Sequence, residues 1–178
     1  MSELMTVNKI FSGRPGVMGI LNVTPDSFSD GGAFMDPELA LNRALEMERE
    51  GACMIDIGAE SSRPGAEPVP EPEEMDRLLP VLEALRGKLS VPVSVDTWKS
   101  SVAGAALEKG AAIINDITAL RGDPNMASVV KEAGAGLILM HMKGDPRTMQ
   151  NKPDYGSVVD EILSMLTERI EAAAEAGI

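Results

Sequence analysis

The chain is poor in the side chains on which many binding surfaces depend. Its 178 residues include one tryptophan, one tyrosine and three phenylalanines, and acidic residues outnumber basic ones by 28 to 16. A surface that binds nucleic acid needs a basic stripe or stacking aromatic rings, so the composition argues against that class of protein. A small anionic ligand is still possible, because the field inside a pocket need not follow the net charge.

Cysteine is nearly absent as well. Cys53 is the one cysteine, which excludes a disulfide framework and a thiolate metal site, and its place in an apolar run favours a small core side chain. No apolar stretch has the length of a membrane span, and the start of the chain lacks the pattern of a secretory signal. We therefore expect a single soluble domain in the cytoplasm that contacts no membrane.

What the sequence does contain is a series of short apolar runs, each of which stops at a polar residue. The runs cover 17–21, 53–55, 91–95, 111–114 and 136–140, and they stop at Asn22, Asp56, Asp96, Asn115–Asp116 and His141. Short apolar runs between longer polar segments are typical of parallel strands buried between helices. Polar residues at the same end of each strand predict one ligand site at the carboxyl edge of the sheet.

The segments between the runs have helical apolar spacing and readable ends. The first has Asp36 as a cap and Pro37 at the first helical position, and Asp123 followed by Pro124 is predicted to cap the fourth in the same way. Helices are predicted over 37–50, 71–86, 99–109, 124–133 and 155–176, each followed by a glycine. Together with a short strand or hairpin over 4–16, this order predicts five βα units in a parallel sheet.

Two of the segments that follow strands, 22–32 and 58–66, are long for βα loops and rich in glycine, serine and proline. Each has one residue that a plain surface loop does not need, Phe28 in the first and Arg63 in the second. Taken singly, the polar residues of these loops are better explained as turn formers. Their place on one rim of the sheet favours functional lids.

These same segments resemble the signatures of the dihydropteroate synthase family. Residues 18–32 (MGILNVTPDSFSDGG) are similar to the first signature and residues 56–65 (DIGAESSRPG) to the second, and shorter matches follow at 94–97, 114–117 and 139–144. The resemblance implies a TIM-type (β/α)₈ barrel, of which the single domain 1–178 supplies five βα units and the hairpin. It also implies a transferase of folate biosynthesis that joins (7,8-dihydropterin-6-yl)methyl diphosphate to 4-aminobenzoate, releases diphosphate and is a target of sulfonamides.

The resemblance further implies roles for individual residues. Asn22 would hold Mg²⁺ and the diphosphate, while Asp96 and Asn115 would hold the pterin. Asp56 would lie near the pterin and the metal, and Asp30 would steady the positive charge that develops on the dihydropterin. Catalytic roles thus go to Asp30, Asp56 and Asp96. The remaining predicted substrate contacts are Phe28, Ser62, Arg63 and Pro64 for 4-aminobenzoate, and Ile117 and Met140 for the pterin face.

Some of these assignments have alternatives. Asp96 is also a plausible N-cap for the helix after Thr97. Asn115 and Asp116 point opposite ways along a strand, so only one faces the site, and the family pattern selects Asn115. His141, a lone histidine on an apolar strand, is better explained as a structural residue than as a catalyst.

The chain is shorter than the barrel that the resemblance implies. A TIM barrel usually takes about 250 residues, and the resemblance stops before a sixth strand would begin. We expect the full-length protein to be a homodimer and the 178-residue chain alone to be poorly active, because the family's later strands also contribute to the pterin and diphosphate sites. Two other interpretations stay open: a corrinoid-dependent pterin methyltransferase domain, and a non-catalytic half-barrel that binds a ligand or partner.

Overall fold

A computed structural model describes residues 15–24, 36–61, 67–144, 148–149 and 154–178. Its strands are β1 (Val17–Asn22), β2 (Ala52–Gly58), β3 (Val93–Asp96), β4 (Ile113–Asp116) and β5 (Gly136–Leu139). Its helices are α1 (Pro37–Arg49), α2 (Glu71–Leu85), α3 (Ser100–Glu108), α4 (Met126–Ala133) and α5 (Val158–Ala176). The hairpin predicted over 4–16 lies almost wholly outside the described residues.

The strands form one sheet in the order β1-β2-β3-β4-β5, and every neighbouring pair is parallel. The predicted alternation of strands and helices is therefore confirmed. The strand bounds differ from the prediction by a few residues. β3 begins at Val93 because Pro92 has no N–H to give to a ladder, although the Pro92 carbonyl still accepts a bond of 3.1 Å from the Ile55 N–H.

The main core lies between the sheet and its helices. Alternate strand residues, among them Leu21, Ile57, Val95 and Ile114, are buried against apolar side chains of α1 to α4. Because successive strand residues point to opposite faces, the residues between them face the other side of the sheet. That second face holds the polar strand ends. None of the described helices is long and apolar enough to cross a membrane.

One predicted helix cap is confirmed and one is wrong. Asp36 caps α1, with its carboxylate accepting a bond of 2.8 Å from the Glu38 N–H. Asp123 does not cap the helix that follows it, because α4 begins only at Met126. Its carboxylate instead accepts from the N–H groups of Asn125 and Ser100, both at 2.9 Å. Asp123 thus caps α3, which is a neighbour in space and precedes it in sequence.

Candidate active site

The polar strand ends form one row across the first four strands. Asn22 is in register with Gly58, Gly58 with Asp96, and Asp96 with Asn115. Gly58 was not among the predicted site residues, yet it lies at the centre of this row. A β-carbon at Gly58 would lie 3.6 Å from Asp96 Oδ2 and 3.7 Å from Asn22 Oδ1. The side chains of Asn22 and Asp96 therefore flank the same small space.

Asp56 lies on the same face, two residues before Gly58. It is 4% exposed, and its Oδ2 accepts a hydrogen bond of 3.1 Å from the side-chain amide of Asn115. Its Oδ1 and the buried hydroxyl of Ser94, its register partner on β3, have no hydrogen-bond partner among the described residues. Polar atoms that are buried without partners are unusual and often mark a place where a ligand or water binds.

Asp96 has an unusual charge state. Burial raises the pKa of its carboxyl to about 7, and the negative charge of Asp56 adds to this rise, with smaller contributions from Glu74 and Glu60. A carboxyl that titrates near neutral pH can be present as acceptor or as donor, which suits a partner with both kinds of hydrogen-bonding group.

Asp96 is not the N-cap of the following helix, so that alternative is wrong. The N-cap position of α3 is Lys99, and α3 starts at Ser100. The Ser100 N–H is already satisfied by Asp123, and Thr97 Oγ1 accepts a bond of 3.3 Å from the Lys99 N–H. The side chain of Asp96 therefore lies on the inner face of the sheet, which is the face that holds the polar strand ends.

Of the neighbours on β4, Asn115 faces this row and Asp116 does not. Asp116 is fully buried, and among the described residues its carboxylate bonds to the turn that follows it. Ile117, in that turn, is 8% exposed, and Met140 is partly buried just beyond the end of β5. The ring centre of His141 lies 6.0 Å from that of Tyr155, so the two rings pack against each other.

A buried ion cluster lies near the site, and it was not predicted from the sequence. The Nζ of Lys99 is bonded to the carboxylates of Glu60 and Glu74 and donates to the Val69 carbonyl at 2.7 Å. The side chain of Glu74 is 1% exposed and that of Lys99 is 7% exposed. Lysine and glutamate on separate segments are rarely both buried unless they are paired. The cluster joins the end of β2, the start of α2 and the start of α3.

Several predicted site residues lie outside the described residues, namely Phe28, Asp30, Ser62, Arg63 and Pro64. Within the described part of the chain, no group of three or more histidine, cysteine, aspartate or glutamate residues could hold a metal ion. Mg²⁺, however, needs only one or two oxygen ligands from a protein when water and a substrate diphosphate supply the rest. The amide oxygen of Asn22 is at an exposed strand end and fits this demand.

Comparison with known proteins identifies relatives of this chain. The family of pterin-binding enzymes matches residues 18–178. The chain is 51% identical over 164 residues to the dihydropteroate synthase of Bacillus subtilis, a match that covers 91% of this chain and 54% of that protein.

Solved structures are similar over the same length. The dihydropteroate synthase of Yersinia pestis, in a complex with a sulfonamide drug, matches 93% of this chain and 60% of its own, at 47% identity and a TM-score of 0.85. The enzyme from Xanthomonas albilineans with 4-aminobenzoic acid matches 93% of this chain and 58% of its own, at 48% identity and a TM-score of 0.84. The chain therefore spans less than two thirds of these relatives. The five βα units adopt the TIM-barrel fold of these enzymes as an open half-barrel, which confirms the expected fold class.

Proposed function

The chain belongs to the pterin-binding enzyme family, and from that premise we propose that it acts in dihydropteroate synthesis. The reaction would join (7,8-dihydropterin-6-yl)methyl diphosphate to 4-aminobenzoate and yield 7,8-dihydropteroate and diphosphate. The observation that carries the proposal is the row Asn22, Gly58, Asp96 and Asn115 on four adjacent parallel strands, with Asp56 on the same face. Two relatives that are named dihydropteroate synthase, at 44% and 51% identity to this chain, support the proposal.

The pterin would bind against the carboxylates and the amide. A pterin ring has amino and ring N–H donors beside carbonyl and ring nitrogen acceptors along one edge. Asp96 and Asp56 can accept from such donors, while Asn115 can both donate and accept. Ile117 and Met140, at the ends of the neighbouring strands, supply apolar surface for the flat ring. An apolar slot with a few fixed polar groups is the usual form of a site for a small heterocycle.

Asn22 would hold Mg²⁺ and the diphosphate through its exposed side-chain amide. The bound metal would neutralise the diphosphate charge and make it a better leaving group. Asn22 lies on the opposite side of Gly58 from Asp96. In this proposal the diphosphate end of the substrate lies toward β1 and its pterin end toward β3 and β4.

In the reaction, the amine nitrogen of 4-aminobenzoate forms a bond to the pterin methylene carbon as the bond to the diphosphate oxygen breaks. One amine proton is released, and the diphosphate leaves with the electron pair of the broken bond. Positive charge that develops on the dihydropterin would be stabilised by Asp96 and Asp56. Asp30 is proposed to add to this effect, and Phe28, Ser62, Arg63 and Pro64 to bind the arylamine.

The cellular setting is part of the same proposal. A cytoplasmic location fits a strongly acidic chain with a single cysteine, although mitochondrial relatives also exist. We propose a homodimer as the state of the whole protein. Its partners would be the two small-molecule substrates rather than nucleic acid or membrane, since the charge balance disfavours a phosphate backbone.

The experiment that tests the function measures how diphosphate affects the binding of 4-aminobenzoate, and whether product forms. Titration calorimetry with 4-aminobenzoate is run with and without diphosphate and Mg²⁺, and pterin binding is measured in a separate titration with (7,8-dihydropterin-6-yl)methyl diphosphate. Product is followed by chromatography after the chain is incubated with that pterin diphosphate, Mg²⁺ and radiolabelled 4-aminobenzoate. Binding that depends on diphosphate, together with labelled dihydropteroate, is the expected result. Pterin binding without any arylamine binding would favour a pterin methyltransferase instead, and binding of neither ligand would favour a non-catalytic module.

A further inference from the structure

The turn after β4 contains the most strained backbone among the described residues. Ala119 and Leu120, which are consecutive, have φ values of 54° and 63°, and they are the non-glycine residues with positive φ in the described part of the chain. The left-handed region is unfavourable for residues with a β-carbon, and such strain persists only where the surroundings enforce it. The turn must therefore be held by specific contacts.

Asp116 supplies those contacts. Its Oδ1 accepts from the N–H of Thr118 at 2.8 Å and from the Thr118 hydroxyl at 2.7 Å, and its Oδ2 accepts from the Leu120 N–H at 2.7 Å. The Thr118 hydroxyl oxygen in turn accepts from the Gly122 N–H at 2.9 Å. One carboxylate thus fixes both ends of the strained pair, and it is completely buried while doing so.

The turn also sets the position of two predicted pterin contacts. Ile117 lies within it, directly after Asp116. Arg121, at its far end, donates from Nε to the Thr118 carbonyl at 3.0 Å and from Nη2 to the Met142 carbonyl at 3.1 Å. The second bond joins the turn to the segment after β5, in which Met140 lies two residues earlier. The turn is therefore linked to the segments that carry both apolar side chains.

We propose that Asp116 is a positioning residue of the pterin site: it holds the left-handed turn that sets Ile117 and, through Arg121, the segment with Met140. Asp116 does not contact the ligand, because it follows Asn115 on the strand and points to the opposite face. This inference rests on the proposed function, since it assumes that the ligand beside Asn115 is a pterin. It differs from a purely structural role, which would lower stability and leave pterin affinity unchanged in the folded protein.

The test compares two variants of the 178-residue chain. Asp116→Asn keeps the size of the side chain, but its amide NH₂ group would face one of the N–H or O–H groups that now donate to the carboxylate. Two donors cannot bond to each other, so one of the contacts that hold the turn would be lost. Val130→Ala shortens a fully buried side chain on α4, in the helical layer, and serves as a control for lost stability. Thermal midpoints are measured first, and the dissociation constant for (7,8-dihydropterin-6-yl)methyl diphosphate is then measured by calorimetry where both variants are folded.

We expect the dissociation constant of Asp116→Asn to rise at least tenfold and that of Val130→Ala to change less than twofold. Amide hydrogen exchange should also become faster at Leu120 in Asp116→Asn. A third variant, Asp116→Asn combined with Ala119→Gly, should recover part of the affinity, because glycine adopts the left-handed conformation without penalty. Recovery would show that the effect passes through the backbone of the turn.

The outcomes separate this inference from the proposed function. If the unaltered chain binds no pterin, the proposed function fails and takes this inference with it. If the unaltered chain binds pterin and Asp116→Asn binds it equally well, the inference alone is overturned. A loss of affinity that Ala119→Gly does not reduce would also overturn it, because the charge of Asp116 rather than the turn would then be responsible.

Discussion

The side-chain amide of Asn115 donates to Asp56 Oδ2 at 3.1 Å, although the two residues belong to β4 and β2, which are not neighbours in the sheet. β3 lies between them, and the bond crosses it on the inner face, where Ser94 and Asp96 also point. This one contact joins β2 and β4 across β3. It also holds a negative charge beside Asp96, whose pKa rises to about 7 because of burial and the charge of Asp56.

Removal of the amide should weaken both the fold and the site. Asn115→Ala leaves the buried carboxylate of Asp56 without its described partner, and an unsatisfied buried polar group costs about 1–3 kcal/mol, more when it is charged. We expect the free energy of unfolding, measured by urea denaturation, to fall by about 2–3 kcal/mol and pterin binding to be lost. An unchanged free energy of unfolding would mean that the contact does not hold the strand ends together.

Asp96 should make stability depend on pH in an unusual direction. Its folded-state pKa of about 7 is above the ordinary value of 3.8, so the folded protein retains a proton that the unfolded chain has released. Stability should therefore decrease as pH rises from about 4 to 7 and remain low above that range.

The variant Asp96→Asn removes this dependence. Each unit of pKa shift corresponds to about 1.4 kcal/mol, so the variant should be more stable than the unaltered chain at pH 8 by roughly 2–4 kcal/mol, with little difference at pH 4. Urea denaturation at both pH values is the measurement. Glu83→Gln is the matched control: it alters a surface carboxyl whose pKa is lowered by Lys109, and it should show no gain at pH 8. A gain that is equal at both pH values would refute the assignment to Asp96.

The buried lysine should contribute far more to stability than a surface lysine. Lys99→Met leaves Glu74, which is 1% exposed, without its cationic partner, and breaking a buried pair typically costs about 3–5 kcal/mol. Lys109→Met, which breaks an exposed pair with Glu83, should change the free energy of unfolding very little. Chemical denaturation of both variants measures the difference.

The single tryptophan gives an independent signal for this cluster. The indole N–H of Trp98 donates to Glu60 at 3.4 Å, and Lys99 Nζ lies 5.2 Å from the ring centre. The emission of folded Lys99→Met should shift from that of the unaltered chain, while Lys109→Met should not. Equal stability losses and equal spectra for the two variants would contradict the structural importance of the cluster.

Gly58 should matter for ligands more than for folding. A methyl group there would make only ordinary contacts, at 3.6 Å from Asp96 and 3.7 Å from Asn22, so Gly58→Ala should fold with nearly unchanged stability. The methyl would nevertheless occupy the space between the predicted pterin and diphosphate groups. We expect the affinity for the pterin diphosphate to fall at least tenfold.

Gly104→Ala, on helix α3, is the control for Gly58→Ala. Its added methyl would lie 3.7 Å from Val129, and alanine in place of helical glycine should stabilise by about 0.5–1 kcal/mol without any effect on affinity. Calorimetry with both variants is decisive. If Gly58→Ala binds as well as Gly104→Ala, the ligand does not occupy the space above Gly58.

The sheet could be predicted from the sequence because each strand is a short apolar run with a polar end. The same pattern placed Asn22, Asp56, Asp96 and Asn115 on one edge. It could not reveal the bond between Asp56 and Asn115, because this contact depends on how the sheet brings non-neighbouring strands together. Gly58 was missed because an absent side chain leaves no chemical signal, although a glycine that ends an apolar run is a usable hint.

The buried cluster and the contact of Asp123 with α3 were missed for a different reason. Lys99, Glu60 and Glu74 come from three separate segments and look like ordinary surface charges in the sequence. Asp123 precedes a proline, so it resembles a cap for the next helix, yet its carboxylate reaches back to Ser100 on α3. Such contacts follow from the packing of helices against the sheet, and no local pattern encodes that packing.

The most direct test of the account is the binding of (7,8-dihydropterin-6-yl)methyl diphosphate, with Mg²⁺ present, to the unaltered chain and to the double variant Asp96→Asn, Asn115→Ala. Calorimetry should show saturable binding of one molecule per chain and no measurable binding to the double variant, with both proteins shown to be folded by circular dichroism. Binding of equal affinity to both proteins, or none to the unaltered chain, would contradict the claim that these strand ends form a pterin site.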